Sequence, residues 1–572
     1  MEALESIAKL YVALSLLLFC NRKVSGENVF SMSVDDFDKA LYHKHLRQEA
    51  PKATVSFALA KHFQNHMVLQ QAPRRANIYG FSPDIGQKVI MQLVTVPATK
   101  PYYYSTTVEQ GPVDGLGVWN FLLDPFVANT SVNINIQAEA GSLSLNDVIF
   151  GDVWICSGQS NMQFTVVQMD GAEDEMADAQ NYPNIRLFTV NMDTATTPQY
   201  DLIRVEESWT APNKNAIGAT AWSYFSAVCW LFGKNIHKAR GVPIGLIGTN
   251  WGGTPVEAWS SPEALAACGN PFNSPVLQPA SYREYVKTQP WDIRHRLEGP
   301  GDNSVLWNAM IHPLLGMTIY GAIWYQGSEA DASGARMNKY NCTFPAMIKD
   351  WRFNFNKASN GQTSLSFPFG FVQLAPNTPD PTISVGFPDI RWHQTADHGY
   401  VPNSDLPNVF MAVAMDLPDF TSSYGSIHPR DKKDVGVRLA LSGLAVAYGQ
   451  SGIFQGPLPV QAVTTSAGLV IDYGNTWVLD VRDFNGFEIQ CADSWVFTDI
   501  ITNNQTTVTL YSGVCQGKPL KGLRYAWRES PCAFMKCSIY ETSNNLPAAP
   551  FVAFAKTING KSYFTFDGPA HI

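Results

Sequence analysis

The chain has 572 residues, of which 45% are hydrophobic, 12% aromatic and 16% charged, and its formal net charge is -9. This length predicts two to four domains with sizeable apolar cores, and the composition is that of a globular protein. The acidic balance argues against nucleic acid or an acidic membrane surface as the main partner.

The N-terminal segment, residues 1–26, resembles a secretory signal peptide. Lys9 precedes an apolar run, residues 10–19, and small residues follow it. The run is too short to span a bilayer, so we expect a protein of the secretory pathway without a stable membrane anchor. Residues 27–54 are charged and weakly patterned, and we expect a variable lead-in there.

Residues 55–146 alternate apolar and polar side chains in short runs. Two of these runs are K-V-I-M-Q-L-V-T-V and S-V-N-I-N-I-Q-A, and turn signals such as Ser82-Pro83-Asp84 separate them. The pattern predicts an N-terminal β-sandwich-like domain. Nothing in this domain suggests catalysis.

A buried strand followed by a tight turn opens the next region. Residues 148–156 are mostly apolar and rich in β-branched and aromatic types, and the run stops before Gly158. Ser160 lies where the chain would enter a helix beginning near Asn161, and a helix N-terminus favours developing negative charge, so Ser160 is a candidate nucleophile. The alternative is that Ser160 is only an N-cap. The tighter G-x-S-x-G elbow is not met, because Met162 replaces its second glycine.

Residues 147–450 alternate strand-like and helical patterns. Further strands are predicted at 243–249, 320–325, 369–374 and 409–415, and helices at 219–240 and 429–448. Such alternation predicts a doubly wound parallel sheet covered on both faces, with ligands beyond the carboxyl ends of the strands. After residue 450 the β-alternation returns, and we expect a C-terminal β-rich region over 451–572.

Acyl transfer from a serine needs a base, a group that orients the base, and donors for the oxyanion. His428 is the preferred base among 11 histidines because it follows the last predicted strand and precedes a helix. His393 and His398 are runners-up, and each is more simply a surface or packed histidine. His312 has an apolar setting, and we expect it to be structural.

Three groups could converge on the oxyanion. They are the N–H of Ser160, the N–H of Gly252 or Gly253, and the side-chain amide of Gln326, all of which follow predicted strands. The alternatives are a tight turn for the two glycines and a loop hydrogen bond for Gln326.

Eight cysteines remain after residue 26, an even number that suggests disulfides in an oxidising compartment. Close spacing favours Cys532 with Cys537 and Cys491 with Cys515. Cys156 lies inside the buried strand and is left unassigned, because it could be a free core thiol. Glycosylation sequons occur at Asn129, Asn341 and Asn504.

Cofactor chemistry is not indicated by the sequence. No H-E-x-x-H motif, paired C-x-x-C or acidic calcium loop is present, so no metal site is predicted. A Walker loop and a G-x-G-x-x-G fingerprint are also absent, which leaves hydrolysis without a cofactor.

Several phrases, in this order, resemble the sialate O-acetylesterase family of the SGNH hydrolase superfamily. They are G-D-V-W-I-C-S-G-Q-S-N-M, N-W-G-G-T-P-V-E-A-W-S, V-L-W-N-A-M-I-H-P-L, W-Y-Q-G, N-C-T-F-P-A-M-I-K-D-W-R, R-W-H-Q-T-A-D and G-S-I-H-P-R-D-K. The resemblance implies an SGNH-type esterase domain and a lysosomal or secreted enzyme. Its substrate would be O-acetylated sialic acid or sialoglycan, cleaved chiefly at the 9-position through an acetyl-serine intermediate, with Ser160 as nucleophile and His428 as base.

The sequence departs from the family's pattern ahead of the histidine. Related enzymes place Asp three residues before it, where this chain has Gly425. A carbonyl, Asp419 or Asp416 could orient His428 instead, and Asp416 is preferred because it ends a strand.

A second departure follows W-Y-Q-G. The family continues with Glu, a small residue and Asn, whereas here Gly327 is followed by Ser328, Glu329, Ala330 and Asp331. The acidic side chain is displaced by one position, so we expect a changed substrate preference or rate.

Two other functions stay open. One is an esterase of acetylated polysaccharide of the xylan type, which shares the chemistry and differs in the pocket. The other is a catalytically impaired glycan-binding homologue, which the altered residues 327–331 suggest and the intact Ser160 and His428 oppose.

Overall fold

A mixed sheet forms the centre of the fold. The computed structural model describes residues 56–218, 220–269, 286–288, 299–327 and 334–566. Within these ranges the strands of the central sheet are β1 (Gly141–Gly158), β2 (Ile185–Val190), β3 (Val205–Thr210), β4 (Ile244–Asn250), β5 (Gly321–Tyr325), β6 (Phe369–Gln373) and β7 (Val409–Val413). The predicted signal peptide and the lead-in lie outside the described residues.

The strand order across the sheet is β3-β2-β4-β1-β5-β6-β7. The pairings from β2 to β7 are all parallel, and the edge strand β3 is antiparallel to β2. The predicted α/β fold is therefore confirmed, but its central sheet is mixed rather than wholly parallel. Sequence reasoning missed β2 and β3, since Arg186 interrupts the apolar run of β2 and β3 reads V-E-E-S-W-T.

Strand β1 is 18 residues long and passes from the N-terminal region into the central sheet. Its first part pairs antiparallel with Ser131–Ala138 and parallel with Val68–Gln70. Its last part, from Asp152 on, pairs with β4 and β5. The predicted boundary between residues 146 and 147 thus falls inside one continuous strand.

The N-terminal region is built from short strands, as predicted. Besides β1, these are Ala58–Leu59, Val68–Gln70, Asn77–Ser82, Lys88–Val96, Tyr102–Thr107, Glu109–Gln110, Gly117–Leu122 and Ser131–Ala138. Along Gly117–Leu122 buried and half-buried residues alternate, the period of a strand with one face on a core. Residues 110–116 form a turn in which the Gly111 N–H donates to the Leu116 carbonyl at 2.7 Å.

Helices cover both faces of the central sheet. They are α1 (Ser160–Gln163), α2 (Ala172–Asp178), α3 (Ala227–Arg240), α4 (Pro262–Ala267), α5 (Gly334–Met337), α6 (Tyr340–Ala358), α7 (Phe387–His393) and α8 (Lys432–Val446). Trp154 of β1 lies 4.9 Å from Phe232 of α3, and Trp324 of β5 lies 6.1 Å from Trp351 of α6, measured between ring centroids. Trp324 pairs in register with Ser157, three residues from Trp154, so the two indoles point to opposite faces.

Helix α3 begins later than the predicted residue 219. The Ser226 hydroxyl caps it by accepting from the Cys229 N–H at 3.1 Å, and Trp222 and Tyr224 take positive φ angles of 63° and 69°. The predicted stop is confirmed, since Gly241 follows the helix with φ 66°. None of the helices in the described ranges is long and apolar enough to cross a membrane.

The C-terminal region consists of antiparallel sheets, which confirms its predicted β-rich character. Its strands are Gln461–Thr465, Gly468–Asp472, Leu479–Val481, Phe487–Cys491, Ser494–Thr498, Ile500–Asn503, Thr507–Leu510, Leu520–Tyr525, Ile539–Glu541, Leu546–Pro547, Phe551–Phe554, Lys556–Ile558 and Lys561–Thr565. The region packs on the central α/β part, where Arg391 donates to the Glu529 carbonyl at 2.9 Å.

Disulfides link the cysteines within the described residues. Cys491–Cys515 and Cys532–Cys537 confirm the two predicted pairs, and Cys268–Cys342 joins α6 to the chain after α4. The idea of a free Cys156 is wrong, because Cys156 of β1 is bonded to Cys229 of α3. Four disulfides indicate a protein of the secretory pathway.

Candidate active site

The carboxyl ends of β1, β4 and β5 are level with one another. In register, Gly158 of β1 lies opposite Asn250 of β4 and Tyr325 of β5. The Gln159 N–H donates to the Tyr325 carbonyl at 3.0 Å and fixes the start of the turn. The segments that follow these strands therefore begin at one edge of the sheet, and they hold Ser160, Gly253 and Gln326.

The turn into α1 requires glycine at residue 158. Gly158 has φ 137°, and a Cβ there would lie 2.4 Å from the Tyr325 carbonyl oxygen. Gln159 is the N-cap of α1 and Ser160 is its first residue, so the alternative of Ser160 as the cap is wrong. Ser160 is 1% exposed, at the end of a helix whose N–H groups favour negative charge.

His428 is fully buried, and a backbone carbonyl orients its ring. Its Nδ1 lies 2.6 Å from the Tyr424 carbonyl oxygen, which can only accept, so Nδ1 carries the proton and Nε2 has the lone pair. The ring lies 4.9 Å from Trp222 and 6.4 Å from Phe164. Burial lowers the pKa of His428 to about 3, the Tyr424 carbonyl acts to raise it, and the charge of Lys432 acts to lower it. His428 is therefore a neutral imidazole at mildly acidic pH.

A hydrogen bond joins the His428 loop to the Ser160 helix. Asn161 Nδ2 donates to the Ile427 carbonyl at 2.9 Å. Asn161 follows Ser160 directly and Ile427 precedes His428 directly, so the structure places the two segments that carry the predicted reactive residues next to each other. Sequence reasoning gave Asn161 no role, although its place beside Ser160 was a usable signal.

Asp416 does not orient His428, and that prediction is wrong. Its carboxylate accepts from Arg438 at 2.6 and 2.9 Å and from the Tyr540 hydroxyl at 2.8 Å. The Nδ1 position that it would need is taken by the Tyr424 carbonyl. A buried carboxylate is stable where a guanidinium pairs with it, and α8 supplies that guanidinium at the end of β7.

Asp419 and Gly425 have other roles in the loop that carries His428. Asp419 accepts from Arg430 Nε at 2.6 Å and from Nη2 at 2.9 Å, and the Nδ1 of His428 is bound to the Tyr424 carbonyl rather than to this carboxylate. Gly425, at the position where related enzymes have Asp, has φ 85°, and its carbonyl accepts from the His428 N–H at 2.9 Å. An aspartate there would be strained, and the Tyr424 carbonyl takes the orienting role.

The predicted oxyanion donors have different surroundings. The Gly252 N–H donates to Gln163 Oε1 at 2.8 Å, so this donor is committed to α1. Gly253 has φ 73° in the turn that follows β4. Gln326 is buried, and its Nε2 donates to the Thr254 carbonyl at 3.1 Å, which holds its amide beside that turn. The oxyanion roles of Ser160, Gly253 and Gln326 stay predictions.

The other candidate histidines have partners outside this group. These are Asp397 for His393 at 2.5 Å, Asp405 for His398 at 3.0 Å and the Gln199 carbonyl for His312 at 2.8 Å. Burial lowers the pKa of His312, in agreement with a structural role. In the parts of the chain that the structure describes, no three or more His, Cys, Asp or Glu side chains are grouped to hold a metal ion.

The altered segment after β5 is described only at its start. Gly327 has φ 113°, and a Cβ there would lie 3.0 Å from Ile390 and 3.2 Å from the Tyr340 hydroxyl. Ser328, Glu329, Ala330 and Asp331 lie outside the described residues. Their effect on substrate preference stays a prediction.

Two family models match the chain. The model described as "Carbohydrate esterase, sialic acid-specific acetylesterase" matches residues 150–441. The model described as "Sialate O-acetylesterase C-terminal domain" matches residues 459–555. The first match includes both Ser160 and His428, and the second covers most of the C-terminal β-rich region.

Similar proteins and one similar structure agree with these models. The chain is 40% identical to the sialate O-acetylesterase of Homo sapiens over 539 residues, which are 91% of this chain and 95% of that protein. It is 41% identical to the sialate O-acetylesterase of Rattus norvegicus over 529 residues, 88% of this chain and 95% of that one. A crystal structure of a carbohydrate acetylesterase from Xanthomonas citri is similar with a TM-score of 0.68 and 25% identity, covering 87% of this chain and 99% of that chain.

Proposed function

The chain belongs to the sialate O-acetylesterase family of carbohydrate esterases, and we propose that it removes O-acetyl groups, chiefly 9-O-acetyl, from sialic acids through an acetyl-serine intermediate. The observation that carries the mechanism is the Asn161–Ile427 hydrogen bond, which joins the helix of Ser160 to the loop of His428. The proposal includes an SGNH-type fold for residues 147–450 and the other domain limits given above.

The first half of the reaction acylates the serine. Ser160 Oγ attacks the acetyl carbonyl carbon, and its proton passes to Nε2 of His428. The tautomer that the Tyr424 carbonyl imposes is the one this step needs, with the lone pair on Nε2. His428 then gives the proton to the sugar oxygen as its bond to the acetyl carbon breaks.

The second half restores the enzyme. Water loses a proton to His428 and attacks the acetyl carbon, and the bond from that carbon to Ser160 Oγ breaks as Oγ takes the proton back from His428. Acetic acid leaves and ionises to acetate. In both halves we assign the oxyanion to the N–H groups of Ser160 and Gly253 and to the Gln326 amide, each contributing about 3 kcal/mol to transition-state stabilisation when well placed. The Gly252 N–H is not assigned, because it is bonded to Gln163.

The proposal also assigns a compartment to the protein. The disulfides support an oxidising compartment. We assign the mature protein to the lysosome or the exterior of the cell, with residues 1–26 as its signal peptide and the sequons at Asn129, Asn341 and Asn504 as candidate glycan sites.

Acetate release from 9-O-acetylated sialic acid tests the proposal, with wild type and Ser160→Ala compared at pH about 5 and 7. Loss of the nucleophile should reduce kcat by about three orders of magnitude or more, while circular dichroism shows an unchanged fold. Equal activity in the two proteins would contradict the assignment of Ser160.

A competition assay separates the proposal from its alternatives. We expect 9-O-acetylated sialic acid to be hydrolysed in preference to acetylated xylan, and the reverse order would identify a polysaccharide esterase. A folded wild type that binds acetylated glycan without turnover would identify the binding homologue.

A further inference from the structure

Lys432, the first residue of α8, has a location that is costly for a cation. The side chain is fully buried, and within the described parts of the chain its ammonium group forms no ion pair. It also lies at the helix N-terminus, where the macrodipole disfavours positive charge. A buried, unpaired charge usually destabilises a protein by several kcal/mol, so its presence calls for a compensating role.

The ammonium group binds the side chain that follows the nucleophile. Lys432 Nζ donates to Asn161 Oδ1 at 2.6 Å, and it lies 4.7 Å from the centroid of Phe164 and 5.5 Å from that of Tyr325. These rings attract the ammonium group through cation–π interactions. Among the described residues, Asn161 is the acceptor of its hydrogen bond. Within the described ranges the ammonium group therefore has one oriented hydrogen bond, and that bond is at the candidate site.

The contact continues to the loop of the base. Because the Asn161 Oδ1 accepts from Lys432, the orientation of the amide is fixed and its Nδ2 points in the opposite direction. This Nδ2 donates to the Ile427 carbonyl at 2.9 Å. A charged donor on the oxygen also polarises the amide and strengthens its N–H donor. The chain of contacts runs from α8 through Asn161 to the residue before His428.

We propose that Lys432 is a positioning residue of the esterase, which fixes the Asn161 amide and through it the separation of Ser160 and His428. The inference rests on the proposed function, in which these two residues carry the reaction. Lys432 touches neither the substrate nor the reacting atoms in this role. Loss of the lysine should leave the fold in place and reduce the fraction of molecules with the productive Ser–His geometry.

The lysine has a second, electrostatic effect on the base. Burial lowers the pKa of Lys432 to about 7, and the carboxylates of Asp431 and Asp419 act to raise it, so the ammonium is charged at acidic pH. That charge lowers the pKa of His428, which also feels burial and the Tyr424 carbonyl. Removal of the charge should therefore make His428 easier to protonate, which a merely structural lysine would not do.

The test compares Lys432→Met with Lys433→Met. Lys433 is exposed and next along the helix, so its replacement removes the same charge from the solvent side. Rates of acetate release from 9-O-acetylated sialic acid are measured against pH. We expect Lys432→Met to lower kcat about 10- to 100-fold with little change in KM, and to move the acidic limb of kcat/KM to higher pH, while Lys433→Met behaves as wild type.

A second variant keeps the test decisive if Lys432→Met does not fold. Asn161→Asp retains an oxygen for Lys432 but cannot donate to the Ile427 carbonyl, so kcat should fall by a similar factor in a protein that melts near the wild-type temperature. Wild-type kcat in folded Asn161→Asp, or wild-type kcat and pH profile in Lys432→Met, would overturn the inference. Ser160→Ala is assayed alongside, because full activity in that variant would instead refute the proposed function.

Discussion

The protonation of His428 is the first consequence at the scale of single residues. Burial lowers the pKa of His428 to about 3, against about 6.5 for an ordinary histidine. A general base must be unprotonated, so the base form persists as pH falls from 7 and is lost only as pH approaches the lowered pKa. We expect kcat/KM to stay level between pH about 7 and about 4 and to decline below that.

Initial rates of acetate release between pH 3 and 8 check this expectation. Circular dichroism at each pH serves as the control, since unfolding would imitate an acidic limb. A half-maximal point near pH 6.5 in folded enzyme would mean that the base is a hydrated histidine, and it would contradict the buried position of His428.

The asparagines of the three glycosylation sequons differ in their exposure and hydrogen bonding. Asn129 and Asn504 are exposed. Nδ2 of Asn129 donates only in a long hydrogen bond, to the Gly241 carbonyl at 3.4 Å. Nδ2 of Asn341, the atom that would carry a glycan, donates to Asp397 at 2.6 Å, and the hydroxyl of Thr343 donates to the Lys339 carbonyl at 2.8 Å. We expect glycans on the first two sites and unmodified Asn341.

Mass spectrometry of peptides after enzymatic deglycosylation measures the occupancy of each site. Asn129→Gln and Asn504→Gln should each remove one glycan from the purified protein, and Asn341→Gln should remove none. A mass loss in Asn341→Gln would show that this side chain is modified before helix α6 forms.

At the scale of elements, the strands that carry the site could be predicted from the sequence. Residues 243–249 and 409–415 were expected as strands, and the structure has Ile244–Asn250 and Val409–Val413. Continuous apolar runs mark strands that are buried on both faces, and their ends mark the edge where a site forms. This local signal predicts the strand end that precedes Ser160, whereas the catalytic roles of Ser160 and His428 stay predictions.

Other features depend on contacts that no local pattern marks. The partner of His428 is a main-chain carbonyl. Every residue has such a carbonyl, so the sequence does not show which one binds the ring, and it could not exclude Asp416. Asp416 turns to Arg438 and Tyr540, and both lie elsewhere in the sequence. The bond from Cys156 to Cys229 likewise depends on how α3 packs on β1.

That disulfide gives a prediction at the element scale. Cys156 of β1 lies four residues before Ser160, and it is joined to Cys229 of α3 across a separation of 73 residues. In the chain-entropy model a loop of this length stabilises the fold by about 4 kcal/mol, and a loop of five residues by about 2 kcal/mol. The double variant Cys156→Ala/Cys229→Ala should therefore lose more stability than Cys532→Ala/Cys537→Ala, whose separation is 5 residues.

Denaturant unfolding of the two double variants and wild type measures the difference. Each variant loses one disulfide and gains two alanines. Cys156 and Cys229 are fully buried whereas Cys532 is half-buried, so the cost of the cavity adds to the expected difference. Equal losses, or a larger loss in the Cys532→Ala/Cys537→Ala protein, would contradict the dependence of disulfide stabilisation on loop length.

At the scale of the whole molecule, the C-terminal β-rich region contributes to the loops of the site. Its Glu529 is buried, and Oε1 accepts from the N–H of Asn377 at 2.8 Å and of Thr378 at 3.3 Å, both in the segment after β6. Asn377 Oδ1 in turn accepts from the Ser426 hydroxyl at 3.1 Å, two residues before His428. The sequence could not show this packing, because the contact joins residues about 150 positions apart.

Replacement of Glu529 should therefore impair catalysis from a distance. Glu529→Ala removes the acceptor from two backbone N–H groups, so the segment after β6 and the loop of His428 lose a support, and we expect kcat to fall about 10-fold. Glu529→Gln keeps an acceptor oxygen and should retain most of the activity. As a control, Asp493→Ala removes an exposed carboxylate of the same region and should leave kcat unchanged. A kcat in Glu529→Ala equal to that of Asp493→Ala would mean that the contacts of Glu529 do not support catalysis.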